Sequence, residues 1–101
     1  MKKYIAYTKE KGKIESNNSY DFKGLTYHRL DGLAYQSFYS NDKLHIKSYW
    51  VNNIRHRLDG PAYQSFKANG QLRYEEYCIN GKTYTKSEYT KEIFKMKLAL
   101  I

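Results

Sequence analysis

The chain has 101 residues, 17 % of them aromatic, and carries 18 Lys and Arg against 10 Asp and Glu, a formal net charge of +8. That length suits one domain, 1–101, with a modest core, and a mean hydropathy of -0.88 excludes an apolar transmembrane span. Cys78 is the one cysteine, which excludes an intramolecular disulfide and points to a reducing, cytoplasmic setting.

The charge is uneven. Residues 1–13 hold Lys2, Lys3, Lys9, Lys11 and Lys13 against Glu10 alone. This start is basic but has no apolar run after it, so it does not read as a secretory signal. Such a field favours anionic partners: nucleic acid, nucleotides, anionic lipid or an acidic protein face.

Residues 4–27 read as a degenerate first unit. Tyr4 and Tyr7 align with Tyr63 and Phe66, Gly12 with Gly70, Ile14 with Leu72, and Tyr20 with Tyr77. Lys23-Gly24 then stands where Asn80-Gly81 stands, and terminal units of an array are commonly atypical. From His28 the pattern is plain. The stretch His28-Arg29-Leu30-Asp31-Gly32-Leu33-Ala34-Tyr35-Gln36-Ser37-Phe38 returns 28 residues on, from His56 to Phe66, with Leu33/Pro61 as its one difference. A fixed internal period predicts a repeat architecture in which each unit covers its neighbour's apolar face. The units are 28–55 and 56–83.

Within each unit the elements are strands and tight turns. Asn-Gly, Asn-Asp and Asn-Asn pairs tolerate the positive φ of hairpin turns, which places turns near 41–42, 52–53, 69–70 and 80–81. Asp-Gly corners fall at 31–32 and 59–60. The alternation in Leu44–Trp50 puts residues 44, 46 and 50 on one face, and His45, Lys47 and Tyr49 on the other. The link His-Arg-Leu-Asp-Gly is either a short strand or a compact corner. Residues 84–101 change character. Thr85-Lys86-Ser87-Glu88 is a capping-box pattern, and Tyr89, Ile93, Met96 and Leu100 follow at helical spacing. A helix over about 86–97 covers the open edge of the last hairpin. The tail Leu98-Ala99-Leu100-Ile101 is core or an interface, for example of a homodimer. The fold class is therefore mainly β: an antiparallel β-hairpin array of about three units, period 28, closed by a short C-terminal helix.

His28, Arg29, Asp31, Gly32 and their copies His56, Arg57, Asp59, Gly60 read as a structural motif, because residues that recur once per unit serve the unit. Asp accepts backbone N–H groups entering the Gly turn, and imidazole bonds across to a strand. Arg29 with Asp31, and Arg57 with Asp59, are expected to pair across adjacent units as a ladder. The competing reading sets Arg29, Arg55 and Arg57 in a phosphate-binding row. A metal needs about three ligands, and His45 has Arg73 as its counterpart, so no metal and no cofactor is expected. Cys78 stands where Trp50 stands and reads as a packing position rather than a catalytic thiol. No catalytic set is assigned. The candidate binding surface is Tyr35, Tyr39, His45, Lys47, Tyr49, Arg55, Arg73 and Tyr74: aromatics interleaved with cations, suited to stacked bases or to a protein face.

The pattern His-Arg-Leu-Asp-Gly-Pro-Ala, followed by Tyr, an Asn-Gly turn and Tyr-x-x-Asn-Gly, resembles MORN-repeat variants, the β-hairpin repeat proteins of bacteria, phages and other large viruses. The resemblance covers residues 28–83 best. It implies a single-layer or lightly wrapped sheet used as a binding surface, with no catalytic residues. It further implies a non-enzymatic interaction module of phage type, a counter-defence protein that binds and inhibits or sequesters a host protein in the host cytosol. The alternative is a binder of nucleic acid or a nucleotide signal through Lys, Arg and Tyr.

Overall fold

The computed structural model describes residues 2–100. Seven strands form one antiparallel sheet: β1 (Lys3–Thr8), β2 (Gly12–Ser16), β3 (Tyr35–Phe38), β4 (Leu44–Ser48), β7 (Tyr63–Phe66), β8 (Leu72–Ile79) and β9 (Lys82–Tyr84), in the spatial order β2-β1-β3-β4-β7-β8-β9. A separate two-stranded ribbon, β5 (Trp50–Val51) with β6 (Ile54–Arg55), a 3-10 turn at Ser19–Phe22 and the helix α1 (Lys86–Ala99) are the other elements among the described residues. The fold is mainly antiparallel β with one C-terminal helix. It is thin, 47 × 33 × 18 Å.

Turn chemistry sets the hairpins. Asn52 and Asn53 have φ of 51° and 65°, and Asn80 and Gly81 have 48° and 83°. Two successive positive φ values make the hairpin turn whose twist matches its strands. Asp42 and Gly70 take positive φ at the other pair of turns. The link at 28–34 is a bent corner with no strand, and so is 56–62.

The front face of the sheet alternates large and small side chains. Register places Ala6, Tyr35, Ser48 and Tyr63 in one cross-strand row, and Tyr4, Ser37, Ile46, Ser65 and Tyr74 in the next. The rings overhang Ala6, Ser37, Ser48 and Ser65, which are buried. Phe22 packs on Tyr4, Tyr27 packs on Tyr35 and Trp50, and Arg55 lies 4.2 Å over the Tyr63 ring. Burial pushes the Tyr35 phenol up to about 12. The back face carries the row Glu15, Ile5, Gln36, Lys47, Gln64 and Glu75, polar except at Ile5.

Two expectations, one from alternation and one from the repeat alignment, change here. Ser37 pairs with Ile46 but Phe38 pairs with Leu44, so His45 is the extra residue of a β-bulge. Phe38 and Ser37 point to opposite faces, and Leu44 and Ile46 are parted with them. Arg73 is the extra residue of the matching bulge in β8. The first unit also aligns differently. Tyr7 N donates to Ala34 O and Tyr7 O accepts from His28 N, just as Tyr49 N donates to Ala62 O and Tyr49 O accepts from His56 N. In its bonding, Tyr7 corresponds to Tyr49 rather than to Phe66, and β1 to β4.

Candidate functional site

The repeated corners line one end of the back face. In each, the arginine is held on four sides. Arg57 lies 4.0 Å over the Tyr49 ring, its Nε donates to Asp59 at 2.9 Å, and its Nη1 donates to Pro61 O at 3.1 Å. Gly60 closes the other side: a Cβ there would stand 3.0 Å from Arg57 Nη1. Arg29 repeats this with Tyr7 at 3.9 Å, Asp31 at 3.3 Å, Leu33 O at 3.2 Å and Gly32. The arginine–aspartate pairs therefore close within one corner. The expected ladder between units does not form, because the backbone bends at 30–32 and 58–60 and returns the carboxylate to its own arginine.

The histidines tie each corner to the following hairpin. His28 Nδ1 accepts from Asn52 N at 3.0 Å, and His56 Nδ1 accepts from Asn80 N at 2.9 Å. Each bond spans 24 residues and satisfies an N–H of the tight turn. Among the described residues no group of three or more His, Cys, Asp or Glu could hold a metal ion.

Where a third corner would follow, α1 stands instead. Thr85 caps it: Thr85 Oγ1 accepts from Glu88 N, and the Glu88 carboxylate accepts from Thr85 N. This holds the Glu88 carboxyl below its ordinary value. Tyr89, in the first turn, packs on Tyr77 with ring centroids 4.9 Å apart and the rings tilted by 45°. Its hydroxyl donates to Arg57 O at 2.6 Å and accepts from Gly60 N at 3.2 Å. Tyr89 is 5 % exposed, and that burial raises its pKa. So Tyr7, Tyr49 and Tyr77 each carry a planar group against the ring: Arg29, Arg57 and Tyr89.

Two grooves flank the second corner. The first, of about 420 Å³, lies between the corners and is lined by Arg29, Leu30, Gly32, Val51, Arg57 and Leu58, among others. The second, of about 380 Å³, runs from Leu58 and Gly60 along Tyr89, Ile93 and Phe94. Beyond it α1 projects past the sheet. Tyr89 is buried and Ile93 half-buried, but Met96 and Leu100, on the same stripe, are exposed. Phe94 and Leu98 form a second exposed pair one turn apart.

The residues of the predicted binding surface divide between the two faces of the sheet. Tyr35, Tyr74 and Arg55 belong to the front, where Arg55 pairs with Glu76 at 2.5 Å. His45 lies against Ser37 and Tyr39, also on the front side, and burial followed by the charges of Lys2 and Arg73 lowers its pKa. Tyr39 reaches across to the next unit, donating to Phe66 O at 2.7 Å. Lys47 and Tyr49 belong to the back. The bulge at His45 separates residues that strict alternation would unite. The phosphate-binding row also fails to form: Arg29 and Arg57 are at the back, Arg55 is at the front, and each is bonded to a carboxylate. Cys78 is buried, with Sγ 3.7 Å from Thr83 Oγ1. Sequence reading passed over Tyr89 as one member of a helical stripe. The signal that marks it out is a tyrosine one residue past a capping box that follows the last Asn-Gly turn.

The described helix is not long and apolar enough to cross a membrane. The chain matches no family model, no curated protein and no solved structure.

Proposed function

We propose that this chain is a non-enzymatic interaction module that docks a partner protein through the outer face of α1 and the groove beside it. One observation carries the reading. Phe94 is 62 % exposed and Leu98 53 %, one turn apart on a helix that runs off its support. Scattered apolar residues are ordinary on a surface; a strip of them at helical spacing marks an interaction site. Lys86, Lys91, Lys95 and Lys97 surround the strip, against Glu88 and Glu92. The complement is an acidic protein face with an apolar ridge. The repeated polar side chains are spent on holding corners, which also supports a binding role over a catalytic one. The likeness to MORN-repeat variants supports the narrower form of the proposal, a phage-type counter-defence protein that sequesters a host factor in the cytosol.

The test is a Phe94→Asp/Leu98→Asp chain. Both residues are exposed, so the variant keeps the wild-type circular dichroism. It should lose at least about tenfold in affinity for the protein that the wild type captures from host lysate. Unchanged capture of that protein would end the proposal. The second reading, an anionic ligand, draws on the exposed Lys9, Lys11 and Lys13 of the β1–β2 hairpin. Under that reading a labelled oligonucleotide binds at low salt and is released steeply as salt rises.

A further inference from the structure

We infer that the groove between the two corners is a receptor for a phenol, supplied as a tyrosyl side chain by a partner. The chain carries the ligand of the second corner within itself. There the Tyr89 hydroxyl bridges Arg57 O and Gly60 N while its ring lies on Tyr77. Twenty-eight residues earlier the same pieces are Arg29 O, Gly32 N and Tyr49. Among the described residues, neither Arg29 O nor Gly32 N has a hydrogen-bond partner. The reason is visible in Arg57. It covers Tyr49 as Tyr89 covers Tyr77, but its donors turn back to Asp59 and Pro61 O. The carbonyl and the N–H that the Tyr89 hydroxyl takes in one corner are thus left open in the other, on the wall of a groove of about 420 Å³.

The chemistry selects the ligand. An acceptor and a donor side by side suit a hydroxyl, which offers both. A carboxylate would meet the Arg29 carbonyl and the exposed Asp31 and Asp59 carboxylates at the rim, and is disfavoured there. Both faces of the Arg57 guanidinium are taken, by Tyr49 and by Gly60, so the ring of the ligand packs on apolar surface at the mouth of the groove. Leu30 and Leu58, 80 % and 47 % exposed, flank the entrance with apolar surface.

That the phenol comes from a protein rests on the interaction-module reading; the pocket itself is tested without a partner. The full chain, labelled with nitrogen-15, is titrated with N-acetyltyrosinamide and with N-acetylphenylalaninamide. The Gly32 amide should shift saturably with the tyrosine probe and at least about fivefold more weakly with the phenylalanine probe. The Gly60 amide, occupied by Tyr89, should stay still. In Tyr89→Ala the Gly60 amide should join the response, with Gly32 unchanged in its own. No saturable shift at Gly32, or equal response to both probes, would overturn the proposal. So would a Tyr89→Ala chain in which Gly60 responds and Gly32 does not. None of these readouts involves Phe94 or Leu98, so failure here is distinct from failure of the helix interface.

Discussion

A guanidinium between a tyrosine ring and a glycine explains the spelling of the repeated motif. Arginine supplies a flat cation for the ring, aspartate two residues on takes its Nε, and glycine leaves room for its far side. The two glycines are not equivalent. Gly60 has φ of +149°, and an added Cβ would meet Arg57 Nη1 at 3.0 Å; Gly32 has no positive φ, and its Cβ would meet Arg29 Cζ at 3.1 Å. Gly60→Ala should therefore cost about 2 kcal/mol, from backbone strain together with a displaced guanidinium. Gly32→Ala should cost about 0.5–1 kcal/mol, the worth of the weakened ring contact. Urea unfolding with an unchanged m-value reads both; equal losses would show that φ at Gly60 carries no strain. The motif's structural character was legible because it recurs. Its bonds were not. His28 and His56 reach turns 24 residues downstream, and no local spacing reveals that.

At the scale of elements, turns and caps were legible and faces were not. Asn-Asn, Asn-Gly and the Thr85–Glu88 box act locally, so their residues suffice to place them. A β-bulge depends on how two strands meet, and the single extra residue at His45 or Arg73 redistributes a strand that reads as simple alternation. The helix was found at about 86–97 and runs over 86–99, but its stripe was expected to be covered; only Tyr89 and Ile93 are. The cap gives a pH signature. Glu88 accepts from Thr85 N, which lowers its carboxyl pKa. A carboxyl lowered by folding stabilises above its unfolded value, about 4.3. That stability is lost as pH falls through the folded value. Wild-type helix ellipticity, compared with that of Glu88→Gln, should therefore exceed it at neutral pH and converge with it in acid, once the pH lies below the lowered folded value. Thr85→Ala should cost about 1 kcal/mol at neutral pH, since the hydroxyl caps Glu88 N. A Glu88→Gln difference that persists in acid would place the cap's strength elsewhere.

For the molecule as a whole, a sheet 18 Å thin leaves much surface to be kept soluble. Its open edges are β2 and β9, and both are marked by charge: Lys13 and Glu15 on one, Lys82 on the other. Charged edges resist strand-to-strand addition. The apolar end of α1 is flanked by lysines but left uncovered, and a homodimer through the tail is one way to cover it. Ile101, part of that expected tail, lies outside the described residues. Net charge opposes the dimer, because two copies at +8 repel, and the lysines beside Phe94 and Leu98 would be brought together. Screening decides between the two tendencies. The Debye length falls from about 10 Å at 0.1 M salt to about 3 Å at 1 M, while apolar attraction persists. The chain should therefore sediment as a 12.1 kDa monomer at low salt and associate in 1 M salt. Leu98→Asp/Leu100→Asp should stay monomeric throughout, since β2 and β9 are untouched. Association of that variant in high salt would move the sticky surface to the sheet edges. A wild-type dimer at low salt would mean that the helix buries itself against a second copy, and the acidic partner would then have to displace that copy before it could dock.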